Sequence, residues 1–218
     1  GYGRVMYNIF PNSFIDKWIQ KISFGVTATR YAYSNLPFNL NFNKIAPELN
    51  IEYKEKHITS PFKTLLHCRY INISQDYFKA NYDFRPAIYS RDTLYFEYLD
   101  ITIKRIKADA INPYGIIVNC QGGQGKNNFI KESLIINYSH KYKNKNKSFD
   151  LRFFAGVFIL KNNSAPGMGD YRFRLSGQNG TQDYLYDNIF LGRSEYEGVL
   201  ANQFTETDGG FKFYSPVG

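Results

Sequence analysis

The chain has 218 residues, enough for one sizeable domain, and 43% hydrophobic against 21% charged residues excludes intrinsic disorder. No apolar run approaches the ~20 residues of a membrane-spanning helix, and two cysteines, Cys68 and Cys120, cannot build a disulfide scaffold or a four-cysteine zinc site. Nineteen Tyr, nineteen Phe and one Trp make 18% aromatic residues, and the net charge of +8 raises nucleic acid as a partner.

In chain order the dominant hydrophobic period is two. Gly1 to Phe10 is already strand-like, with no initiating Met and no signal peptide, so the chain is expected to be a segment of a longer protein. From Ile22, the set Phe24, Val26 and Ala28 alternates with Ser23, Gly25, Thr27 and Thr29. Ile45, Leu49, Ile51 and Tyr53 then oppose Lys44, Glu48, Asn50 and Glu52, and Leu134, Ile136 and Tyr138 oppose Lys131, Ser133 and Asn137. Such alternation marks antiparallel strands with one apolar and one polar face. Strands are expected at 2–10, 18–33, 42–56, 62–73, 92–108, 114–121, 129–142, 149–161 and 171–177, with a last one near 210–214.

Several of these reach the ~9–11 residues that cross a bilayer at a tilt. Connections at 11–17, 57–61, 109–113 and 143–147 are short, while those at 34–41, 74–91, 161–170 and 178–209 are longer, the rhythm of an outer-membrane barrel. In 149–159 a uniformly apolar row faces Arg152, Phe154, Gly156 and Phe158, which fits a lipid-facing row opposite a lumen-facing Arg beside a Gly gap. The mean hydropathy of −0.43 is compatible with such a barrel, because each strand shows one apolar face. The expected fold is therefore all-β, an antiparallel transmembrane β-barrel of which about 9–10 strands are present. It forms one segment over 1–218 with no internal boundary.

Catalytic signatures are sparse. His57, His67 and His140 lie far apart and match no ligand spacing, so they read as ordinary strand or turn residues. Cys68 and Cys120 alternate with apolar neighbours and read as small wall residues. The run Cys120-Gln121-Gly122-Gly123-Gln124-Gly125-Lys126 fails as a phosphate loop. Cys120 stands where the first glycine belongs, and Asn127 where a magnesium-binding hydroxyl belongs. Lys104-Arg105 with Lys107, and Lys141, Lys143, Lys145 and Lys147, are the tight basic groups, the second reading as a solvated hairpin tip; no nucleic-acid partner is expected. Asn-x-Ser/Thr triplets at Asn72, Asn137, Asn146, Asn162 and Asn179 fit chance in an Asn-rich chain.

Carboxylates say more. Glu48 and Glu52 share a strand face, and together with Arg69 and Arg152 they form the candidate lumenal charge network. As a pair the two glutamates could instead serve glycoside hydrolysis. Asp183, Tyr184, Tyr186 and Asp187 are candidate loop contacts, and Asp183, Asp187 and Asp208 match no defensible calcium spacing.

The stretch Phe149-Asp-Leu-Arg-Phe-Phe-Ala-Gly-Val-Phe-Ile159 is followed by Asp170-Tyr-Arg-Phe-Arg-Leu-Ser-Gly177, Asp183-Tyr-Leu-Tyr-Asp187, Gly192-Arg193-Ser194 and Asp208-Gly-Gly-Phe-Lys212. With the Lys44-Ile45-Ala46-Pro47 strand entry, these resemble the C-terminal membrane-barrel region of aminopeptidase-N-like (gluzincin) metallopeptidases of Gram-negative bacteria. The resemblance implies an outer-membrane location and a lipid bilayer partner. It also implies a segment that anchors or positions the catalytic domain and remaining barrel strands of a parent chain. No zinc ligand or other cofactor is implied here: the family's HExxH and downstream Glu have no matching positions, so zinc belongs to the parent protein. The alternative expectation is a soluble β-sandwich module whose aromatic loop, Tyr184 to Phe190, grips carbohydrate or peptide.

Overall fold

The computed structural model describes residues 2–11, 17–35, 38–55, 60–81, 88–109, 112–125, 128–142, 147–162 and 171–173, with Tyr184, Leu185 and Asp187; side chains within 31–40 and 78–89 are excepted. Among the described residues eight strands follow one another: β1 (Tyr2–Ile9), β2 (Ile19–Asn35), β3 (Phe38–Tyr53), β4 (Phe62–Asn81), β5 (Ile88–Lys107), β6 (Tyr114–Gln124), β7 (Phe129–Lys141) and β8 (Ser148–Lys161). Each pairs antiparallel with the next, giving a single meander in the order β1 to β8.

Alternation places the first eight expected strands to within a few residues at most ends. The exceptions are instructive. The connections expected at 34–41 and 74–91 are largely strand, because β2 runs to Asn35, β3 starts at Phe38, and β4 and β5 pair out to Asn81 and Ile88. Polar and aromatic residues there belong to strand ends that continue the ladder, so the short–long rhythm of connections disappears. Within 171–177, Tyr171, Arg172 and Phe173 are not in a strand, and the strand expected near 210–214 lies outside the described residues.

The transmembrane barrel is corrected. Among the described residues β1 and β8 share no contact, so the sheet is open at both edges. A strand set that crosses lipid must close on itself, since an edge row of unpaired N–H and C=O groups has no water to bond. With closure go the lipid bilayer as partner, the outer-membrane location and the role of anchoring a membrane peptidase. Among the described residues no helix is long and apolar enough to cross a membrane. The sandwich of the alternative expectation also changes form, because the eight described strands make one sheet.

The two faces differ sharply. One carries an apolar band, interrupted by charges such as Glu97, Arg105 and Glu132, and exposes Val5, Phe24, Val26, Ile45, Ile103, Phe153, Val157 and Ile159. The other is polar at one end and carries the core at the other. Its buried apolar residues are Phe42, Ala46, Ile71, Ile73, Phe96, Tyr98 and Phe129, covered by Tyr171 and Leu185 from beyond β8. Tyr171 stacks on Phe129 at 4.1 Å and 7°, while Tyr184 meets Tyr98 edge-on at 5.2 Å. Gly156, expected to leave a gap beside Arg152, does leave one, and Phe173 fills it: a Cβ there would lie 2.7 Å from the Phe173 ring. At Gly125 the β6–β7 turn takes a φ of 94°, which glycine adopts without strain, and its N–H donates to Asn128 Oδ1 at 2.9 Å.

Candidate functional site: a charged row across the sheet

Register builds the site. One row crosses all eight strands through Met6, Gly25, Glu48, Arg69, Asp100, Gln121, Lys131 and Phe158. Its central members alternate in charge, so each strand sets its side chain beside an opposite or neutral partner, the favourable cross-strand arrangement.

Glu48 is nearly buried and accepts a two-pronged bond from Arg4, Nε at 2.6 Å and Nη2 at 2.8 Å, the planar fork that suits a carboxylate. Thr27 Oγ1 donates to it at 3.1 Å, and His67 Nε2 lies 3.1 Å away. Burial pushes the Glu48 carboxyl upward, but the bonds from Arg4, His67 and Thr27 outweigh it and hold the group below its ordinary value. Gly25 makes this possible, since a Cβ there would lie 3.2 Å from Glu48 Cγ and 2.1 Å from Met6 Sδ.

Arg69 is the second node. It donates from Nε to Asp100 at 2.6 Å and pairs through Nη2 with Asp187 at 2.6 Å. Burial alone would lower its pKa, yet Asp187 and Asp100 raise it well above normal. Asp100 also accepts from Asn119 at 2.6 Å and Gln121 at 3.0 Å. Buried Lys44 donates to the Leu185 carbonyl at 2.6 Å and pairs with Asp187. Burial pushes the Asp187 carboxyl up, but Arg69 and then Lys44 bring it below its ordinary value. Lys131, buried 4.8 Å above the Tyr184 ring and 4.9 Å from that of Phe173, donates to the Tyr171 carbonyl at 2.9 Å.

Of the charge network expected from sequence, Glu48 and Arg69 stand opposite each other in register, each bound to other partners. Glu52 lies further along β3 beside Leu65, and Arg152 lies on β8, four strands from Arg69. Among the loop contacts, Asp183 and Tyr186 fall outside the described residues. Tyr184 turns inward and donates to Gln121, its half-buried ring packed against the core. Sequence reading passed over Arg4, Lys44 and Asp100; strand parity marks each as polar-face, but their convergence needs register.

The remaining candidates separate. His57 lies outside the described residues, and His140 Nδ1 sits 2.6 Å from Asn112 Oδ1. Cys68 and Cys120 share the apolar face with Ile101 between them in register, and burial pushes the Cys120 thiol up, away from nucleophilic form. Lys104 lies on the polar face, whereas Arg105 packs over the Phe62 ring and Lys107 pairs with Asp109 at 2.8 Å, so this basic run is divided between faces. Among the described residues no three His, Cys, Asp or Glu side chains gather to hold a metal ion.

Tyr2, Arg4, Thr27, Thr29, Glu48 and His67 line a cleft of about 250 Å³ whose far wall includes Lys44, Arg69 and Asp187. Tyr2 stands at its rim, 65% exposed. The cleft offers hydrogen-bond donors and acceptors fixed at short spacing. Its ionised, Arg-bound Glu48 is unsuited to the general-acid half of a glycosidase pair, which needs a raised pKa.

No family model matches the chain, and no curated protein or solved structure is significantly similar to it. The resemblance to the barrel region of gluzincin metallopeptidases is therefore corrected: the open sheet lacks that architecture, and the motifs that carried it find no support at family level.

Proposed function

We propose that this chain is a binding module whose charged cleft takes a carbohydrate. The observation that carries the reading is the Arg4–Glu48–His67 cluster at the mouth of the cleft beside the exposed Tyr2 ring. A sugar hydroxyl both donates and accepts, and a clamped carboxylate beside a guanidinium presents both functions at fixed spacing. The Tyr2 ring adds a flat apolar surface for the C–H face of a pyranose. At about 250 Å³ the cleft lies below the ~300–1,000 Å³ of sites that enclose drug-sized ligands, which favours one or two sugar rings.

The test is calorimetric titration of the full chain with neutral mono- and disaccharides. Saturable binding that weakens at least about tenfold in Tyr2→Ala and in Arg4→Ala is expected, the loss of a stacking surface and of a charge-assisted bond. No saturable binding to about 10 mM overturns the reading. Binding of short peptides in place of sugars moves the ligand class to peptide.

A further inference from the structure

A second cavity lies on the same face but on β5–β8, and it is independent of the Glu48 cleft on β1–β4. Its volume is about 440 Å³, inside the ~300–1,000 Å³ range of small-molecule sites. Ile106, Gly115, Asn137 and Arg152 form one register row across the four strands. Gly115 is the reason for the cavity: with no side chain there, the floor is bare, and a Cβ built on it would meet nothing within 4 Å. Ile106 and Ile117 make the adjoining wall apolar.

Two cations border this apolar floor. Lys104 on β5 has no ion-pair partner among the described residues, and Arg152 borders the cavity from β8, its guanidinium 6.0 Å from the ring of Phe154 on the same strand. The acid in the lining, Asp150, accepts from Ser148 Oγ at 2.9 Å, and bonds from Ser139 and Ser148 hold its carboxyl below the ordinary value. It is therefore ionised at neutral pH, and the lining sets two cations against this one anion. A guanidinium and an ammonium beside an apolar floor match a ligand with one anionic end and a flat apolar body.

We infer that this cavity is a binding site for small carboxylates with an apolar body, the carboxylate held between Lys104 and Arg152 and the body lying over Gly115. Hydrocinnamate is a suitable probe, with its neutral amide as the control, titrated calorimetrically into the full chain. Saturable binding of the acid in preference to the amide is expected. Gly115→Leu, which fills the floor, abolishes it, while Gly3→Leu, an equally open position on β1, leaves it intact. Arg152→Gln and Lys104→Gln each weaken it at least about tenfold, and Arg152→Gln keeps the test valid should Gly115→Leu fail to fold. Equal binding of acid and amide, binding that survives Gly115→Leu, or no saturable heat to about 10 mM overturns the assignment. Neutral sugars report on the other cleft, so the two proposals fail separately.

Discussion

Arg69 on β4 and Asp187, from the chain beyond β8, meet at 2.6 Å and join the covering segment to the sheet. The same carboxylate reaches Lys44 on β3, so one acid gathers two cations that register alone would leave facing Asp100 and solvent. The ion cluster thereby does two things: it clamps the cover over the aromatic core, and it forms the far wall of the charged cleft.

Acid should loosen this clamp. The Asp187 carboxyl sits below its ordinary 3.8 in the fold, so its contribution is complete above that value and is lost as pH falls through the lowered native value. Asp187→Asn is expected to cost about 1 kcal/mol at neutral pH, a figure reduced for its partial exposure, and the gap from wild type should close in strong acid. Urea unfolding at neutral and strongly acid pH reads this out; a gap independent of pH contradicts it.

Asp100 holds Arg69 from the other side and is buried with three donors around it. Removing one partner of a buried pair strands the other charge, so Asp100→Ala should cost about 3 kcal/mol. Asp100→Asn, which keeps an acceptor oxygen, should cost less. Equal unfolding midpoints for wild type and Asp100→Ala would show that the pair is not structural.

Gly156→Ala drives a methyl group into the Phe173 ring and should displace it from Phe158, now 4.9 Å away, at a cost of about 1–3 kcal/mol. The near-ultraviolet circular dichroism of the aromatic cluster should weaken with it. Gly115→Ala, which meets open space, is the control and should leave the spectrum unchanged.

The apolar face should bind a fluorescent hydrophobic dye in the folded protein, because contiguous exposed apolar surface of this kind is adhesive. Replacing Val26 and Ile103 by lysine should lower dye fluorescence and self-association with little change in unfolding midpoint, since both side chains are about half exposed. Undiminished dye binding would place the adhesive surface elsewhere.

Much of this architecture was legible in the alternation. Phe24-Gly25-Val26-Thr27 or Lys44-Ile45-Ala46 can be sorted into faces by parity alone, since successive side chains of a strand point to opposite sides. Other parts were not. The segments 34–41 and 74–91 look like loops because Asn, Asp, Ser and Pro interrupt their alternation, yet residues 34–35, 38–41, 74–81 and 88–91 continue the ladders of β2–β3 and β4–β5. Tyr184 and Asp187 look like a ligand-gripping loop because both are polar-tipped, yet Tyr184 packs under the cover and Asp187 neutralises two cations.

By itself, then, the sequence determined where the middle of each of the eight strands runs and which face its side chains take, because a period of two is a local property of the chain. Tertiary structure decided whether the sheet closes, which charges share a row and what covers the core. Those depend on register and on contacts between distant residues, such as Lys44 with Leu185 across a separation of 141 positions, and no local pattern encodes them.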